Sequence, residues 1–150
     1  MKAITSSITI ARTPDEVFAY SADLEHRVEW QPTVQEVVAE DAEPMQVGSR
    51  ARETRRVTGG PRSFGWELTA YDRPHSWAFR GTDGPVRPVG TMRFSPINGG
   101  SETHVEFEID FRGRGAGTIL ALLARRDARK QVPRELAQLR ARLEPSKPQI

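Results

Sequence analysis

The sequence predicts an α+β domain in which a curved antiparallel sheet of seven strands packs against one long C-terminal helix. Three observations carry that prediction. Between residues 33 and 111 the chain falls into short stretches of period-two alternation divided by Gly-, Pro- and Asn-containing turns. From Ala116 to Leu143 the period changes, and Leu and Ala recur every three or four residues. The length, 150 residues, suits one domain able to bury its own core, expected to span 1–150 with the core at about 3–144.

Residues 5–11 alternate loosely and run into Thr13-Pro14-Asp15-Glu16, a helix start: Thr13 can cap, Pro14 suits the first helical position, and Glu16 completes a capping box. Val17, Phe18 and Tyr20 give that short helix its apolar side. Asp23 can cap a second short helix carrying Leu24, Val28 and Trp30, which Pro32 stops. Residues 34–39 and the arginine-rich 48–57 follow as strands, with Gly59-Gly60-Pro61 as the next turn. Residues 64–71 alternate, placing Phe64, Trp66, Leu68 and Ala70 on one face. Glu67 and Tyr71 then point outward, Glu67 within reach of Arg50 or Arg52 across strands. Arg73-Pro74 breaks the pattern. Trp77 and Phe79 open another strand, residues 89–97 form the next, and Asn98-Gly99-Gly100 reads as a hairpin turn. In the last strand Val105, Phe107, Ile109 and Phe111 alternate with His104, Glu106, Glu108 and Asp110, one face buried and the other acidic and wet.

The long helix carries its stripe on Ala116, Leu120, Leu123, Ala124, Ala128, Val132, Leu136, Leu139 and Leu143. Pro133, inside that stripe, removes one backbone donor and is expected to kink the helix about one turn earlier. The apolar sheet face and the helix stripe must bury one another, and a sheet that curves round a helix without closing leaves room for a cavity between them.

Composition excludes several chemistries. With no cysteine there is no disulfide framework, thiolate metal site or cysteine nucleophile, and three scattered histidines do not make a metal site, so neither a metal nor a cofactor is expected. No apolar run reaches membrane-span length and no signal-peptide core opens the chain, which makes a cytoplasmic protein without integral membrane contact the expectation. The formal net charge of +2 hides a division: residues 1–111 carry 12 basic and 17 acidic side chains, residues 112–142 carry 9 and 2.

Three motifs invite other readings. Gly113, Gly115 and Gly117 lie between a strand and a helix, but their spacing is not that of a dinucleotide fold and no acidic ribose partner follows, so a flexible hinge is the reading. Arg126, Lys130 and Arg134 share one helical row, flanked by Arg125 and Arg129. Without aromatics to stack bases this reads as a solvated face rather than a nucleic-acid footprint, leaving transient contact with a membrane surface open. His26, His75 and His104 suit surface or capping roles.

The residues that look out of place lie in the polar strand 48–57. Its better interior face carries Ala51, Glu53, Arg55 and Val57, which sets Glu53 beside Arg55 on the concave wall, where burial demands pairing. These two are the candidate catalytic or head-group-orienting residues. The candidate ligand-binding residues are the large side chains of the same concave face, Trp66, Leu68, Trp77, Phe79, Met92, Phe94, Phe107 and Ile109, with Leu120, Leu123 and Ala124 facing them from the helix.

The phrases 10–20 (IARTPDEVFAY), Asp23-Leu24 through Glu29-Trp30, Gly48 with Arg52-Glu53, and Tyr71-Asp72-Arg73-Pro74, with an arginine-rich helix closing on Leu136 to Glu144, resemble the SRPBCC or START-like superfamily, in particular its polyketide cyclase/dehydrase and lipid-transport branch. The resemblance covers about residues 3–144. It implies a helix-grip fold with a hydrophobic tunnel between sheet and helix, and a lipid, polyketide or similar hydrophobic small molecule as ligand. Three functions follow in order. The first is binding or carriage of such a molecule. The second is a cyclase or aromatase-like enzyme using polar cavity residues, with Glu53 and Arg55 ahead of His75. The third is an interaction protein using the basic face of the helix. Ligand identity and oligomeric state stay open.

Overall fold

The computed structural model describes residues 3–41 and 45–144, so the outermost ends of the expected 1–150 domain lie outside the described residues. Strand β1 (Ile4–Ile10) leads into helix α1 (Pro14–Ala22), a single 3-10 turn (Leu24–His26) and the short helix α2 (Arg27–Trp30). Then come β2 (Val34–Ala39), β3 (Arg50–Val57), β4 (Gly60–Asp72), β5 (Ser76–Gly81), β6 (Val86–Ile97), β7 (Glu102–Gly113) and helix α3 (Gly117–Leu143). Thr13 caps α1 as its sequence signals: its Oγ1 accepts from the Glu16 amide at 3.3 Å and donates to the Glu16 carboxylate at 3.0 Å. Asp23 caps the 3-10 turn through the Glu25 amide at 2.9 Å.

The seven strands form one antiparallel sheet in the order β1-β7-β6-β5-β4-β3-β2, a meander closed on its far side by the first strand. The sheet grips α3, which lies chiefly over β1 and β7 and reaches α2. This is the helix-grip fold. Two strands run further than their alternation suggests, through prolines. Pro88 in β6 pairs with Phe111 of β7, while the ladder to β5 ends at Val89, and the proline ring lies against Gly81, where a Cβ would sit 2.7 Å from Pro88 Cδ. Pro61 likewise lies beyond the end of the β4–β5 ladder.

The main core joins Phe18, Trp30, Trp77, Phe94 and Phe107 to Val132, Leu136 and Leu139 of α3. Trp77 is anchored through its indole N–H, which donates to Ser21 Oγ at 3.0 Å. A smaller cluster holds Ala51, Trp66 and Leu68.

Several expectations change. The register slips by one residue between Leu68 and Ala70, so Ala70 turns outward and Tyr71 inward, where its ring meets Phe18 edge-on at 5.1 Å. Glu67 does point outward and meets Arg50 at 3.3 Å as well as Arg80. The N-terminal part of α3 is rotated: Gly117, Ala121 and Ala128 face the sheet, Ala116 is exposed, and Leu120 and Leu123 stand to the side. The cause is close approach. A Cβ on Gly117 would sit 2.3 Å from the Pro85 carbonyl oxygen, and one on Gly113 would sit 2.2 Å from that of Gly117. These two glycines let backbones touch, rather than supplying a free hinge. Finally, Arg125 is not part of the solvated row, and Asp110 is not simply on the wet face: Arg125 is buried and pairs with Asp110. Helix α3 continues through the exposed Pro133 as one element.

Candidate functional site

The inner face of the sheet, α2 and α3 enclose a cavity of about 140 Å³. At one end its walls are apolar: Val86 and Pro88 of β6, Ile109 and Phe111 of β7, Phe79 of β5 and Leu120 of α3. At the other end the lining is Arg27, Gln31, Glu53, Arg55 and Glu135.

These five polar side chains form a closed ring. Arg55 Nε donates to Glu53 Oε2 at 3.1 Å, and Arg55 Nη1 to Glu135 Oε1 at 3.3 Å. Gln31 Nε2 donates to the other oxygen of Glu135 at 2.6 Å, and Gln31 Oε1 accepts from Arg27 Nη1 at 3.3 Å. Arg27 Nη1 returns to Glu53 Oε1 at 3.9 Å. Local folding explains each position. Glu53 and Arg55 are two residues apart on β3 and so share a face. Arg27 and Gln31 lie one turn apart across α2 and its C-cap. Glu135 falls on the buried side of α3 with Val132 and Leu139.

The Arg27 guanidinium is also boxed by three indoles, its carbon lying 5.2 Å from the ring centre of Trp77, 5.6 Å from Trp66 and 5.8 Å from Trp30. Glu53 is 3% exposed and Arg27 4%, so neither charge is shared with water. Burial pushes the Glu135 carboxyl above its ordinary pKa, against the pull of Arg55 and Gln31. Burial likewise lowers the Arg27 pKa, with Glu53 opposing. For Arg55 burial acts downward too, but Glu135 and Glu53 on either side outweigh it and raise its pKa.

The ring leaves polar capacity unused. Arg27 Nε and Thr33 Oγ1, both on cavity-lining residues, are buried without a hydrogen-bond partner among the described residues. An unsatisfied buried donor is costly, and neither atom is open to a water-sized molecule from the cavity or from outside. At the open side the β3–β4 turn is strapped to α3: the Thr58 amide and hydroxyl donate to the two carboxylate oxygens of Asp127 at 3.0 and 2.7 Å.

Of the residues expected to bind ligand, the structure places Phe79, Phe107, Ile109, Leu120, Leu123 and Ala124 on the cavity wall, together with Glu53 and Arg55. Trp66, Leu68, Trp77, Met92 and Phe94 do not line it. They are packed core, because the polar ring and its indole box fill the space in front of that end of the sheet. Sequence reasoning missed Arg27, Gln31 and Glu135. Signals existed for two of them: Glu135 lies in phase with Val132 and Leu139, and Arg27 lies one turn before Trp30. Taking Val28 as an inward residue hid Arg27, since Val28 is exposed.

The chain thus combines a helix-grip sheet with a cavity between sheet and helix. The sequence matches the family model described as polyketide cyclase / dehydrase and lipid transport over residues 1–144, and the chain belongs to that family. No curated protein matches it by sequence. Among solved structures it resembles the Zhui aromatase/cyclase from a Streptomyces species, R1128, with a TM-score of 0.80 at 18% identity over 95% of this chain and 93% of that one. It also resembles TTHA0849 from Thermus thermophilus, with a TM-score of 0.77 at 20% identity over 94% and 96%. A third similar structure is the di-domain ARO/CYC protein BexL of the BE-7585A biosynthetic pathway. There the TM-score is 0.74 at 19% identity, over 96% of this chain and 47% of that one. At these identities the likeness shows the fold. That fold is compatible with hydrophobic ligand binding or with cyclase activity.

Proposed function

We propose that this chain binds a small hydrophobic molecule bearing a carbonyl or carboxylate oxygen, with the apolar body against Phe79, Ile109 and Phe111 and the oxygen at the Arg27–Arg55 end. One observation carries the reading: an apolar cavity ends in a charged ring in which Arg55 stays partly exposed. The volume bounds the ligand. A cavity of about 150 Å³ accommodates a benzene-sized molecule, so the enclosed part fits about one ring. A longer ligand emerges past Leu123 and the Thr58–Asp127 strap. Native mass spectrometry followed by solvent extraction tests this directly, with calorimetric titration of 1-tetralone and 1-naphthoate as defined probes. Binding of either, weakened at least tenfold by Arg55→Met, supports the reading. A protein recovered empty that takes up neither probe overturns it.

A second reading, a cyclase or aromatase-like enzyme, is favoured by Glu135. A carboxyl held above its ordinary pKa beside Arg55 can donate a proton to an oxygen on which charge develops, while the guanidinium stabilises that charge. Turnover of a poly-β-ketone that falls at least a hundredfold in both Glu135→Gln and Arg55→Met supports it. Turnover unchanged in both removes these residues as catalysts.

A further inference from the structure

Helix α3 presents an outward face that the fold does not use. Ile119 is 67% exposed, Leu122 46% and Leu123 37%, three branched aliphatic side chains within two turns. The next turns of the same face carry Arg126, Arg129, Lys130 and Arg134, all exposed and none in an ion pair among the described residues. Of the two carboxylates of α3, Glu135 is in the buried ring, and Asp127, in the row of Leu123 and Lys130, is tied to Thr58. The face is therefore apolar at one end and mainly cationic along the rest, with Asp127 at its margin, over about 22 Å from Ile119 to Arg134. Just before the helix, Arg112 on β7 stands directly opposite Arg87 on β6, a like-charge cross-strand pair. Such a pair is unfavourable in an isolated domain.

We propose that this face docks on the surface of an anionic lipid bilayer, with Ile119, Leu122 and Leu123 entering the acyl boundary and the arginines and Lys130 on the lipid phosphates. The pattern suits a bilayer better than an acidic protein or a nucleic acid. Only a bilayer offers an apolar layer directly beneath a continuous sheet of phosphates, matching side chains that stand on one face of one helix. Leu123 belongs both to this face and to the cavity wall, so docking brings the cavity mouth to the membrane. The proposal does not depend on what the cavity holds.

Co-sedimentation with sucrose-loaded vesicles tests it, comparing pure phosphatidylcholine with a mixture containing phosphatidylserine, at low and at high salt. The expected result is binding to the mixed vesicles that salt weakens, with little binding to phosphatidylcholine alone. Arg126→Gln with Lys130→Gln should weaken it roughly thirtyfold, at about a factor of five per cation. Ile119→Ser with Leu122→Ser should weaken it at least tenfold while leaving net charge unchanged. All four positions are exposed, and matching melting curves show that both variants fold. The proposal is overturned if the wild type ignores phosphatidylserine vesicles at low salt, or if the Ser variant binds as the wild type does. Equal affinity for duplex DNA and vesicles, indifferent to Ile119 and Leu122, also overturns it and marks a merely cationic surface.

Discussion

Glu135→Gln is the most informative single change, because it separates the charge of the buried ring from its shape. The folded protein raises the Glu135 pKa above its ordinary value of 4.5, so the folded state binds this proton more tightly than the unfolded chain does. The resulting stabilisation is complete below about pH 4.5 and is lost as pH rises through the folded pKa. A glutamine side chain at this position cannot ionise and keeps a shape able to accept from Gln31. The stability of the variant relative to the wild type should therefore rise with pH. The slope is at most about 1.4 kcal/mol per pH unit between the unfolded and folded pKa values, flattening above the latter. For a domain of this size that corresponds to about 3–6 °C in Tm per pH unit. A constant offset from the weakened Arg55 bond lies beneath it and does not change with pH. The assay is thermal unfolding of both proteins in matched buffers from pH 4 to 9. A difference in Tm that stays flat over that range, or that turns against the variant as pH rises, refutes the claim that burial rather than pairing dominates at Glu135.

Three further outcomes follow from the same geometry. Arg27→Leu leaves Glu53 with Arg55 as its ion-pair partner but strips Gln31 Oε1 of its donor, so unfolding by urea should show a loss of about 1–3 kcal/mol. Wild-type-like stability would mean that the indole box, and not the charge ring, supports that end of the cavity. Asp127→Ala cuts both bonds of the Thr58 strap, and amide hydrogen exchange at residues 57–60 should accelerate by about tenfold or more while global stability falls by only about 1–2 kcal/mol. Gly117→Ala drives a methyl into the Pro85 carbonyl, and Tm should drop by at least about 5 °C. An unchanged Tm would show that the contact between α3 and the β5–β6 loop yields easily.

Much of the architecture was legible because periodicity records which side of an element is covered. The alternation of Val105, Phe107 and Ile109 and the Thr13 capping box translate directly into β7 and α1. The Glu53–Arg55 spacing correctly placed both on the concave wall, since two residues on a strand share a face whatever surrounds them. The slipped register at Thr69 was not legible. A bulge leaves no pattern of its own, and it exchanged the faces of Ala70 and Tyr71. The sideways turn of Leu120 and Leu123 was hidden for a related reason. Hydrophobic spacing predicts that leucines face the sheet, but backbone contact at Gly113, Gly117 and Pro85 claims that side for small residues.

The division of the chain into an acidic sheet and a basic helix, the order of elements and the helix-grip fold are properties of local pattern, and the sequence by itself determined them. Which core residues surround a cavity, and which charges meet inside it, only the tertiary structure decided. Arg27, Gln31, Glu53, Arg55 and Glu135 come from two helices and a strand separated by up to 108 positions, and no local period relates them. Their ring exists because α2 and α3 close over β3 and remove water, and buried charges must then find partners across the fold.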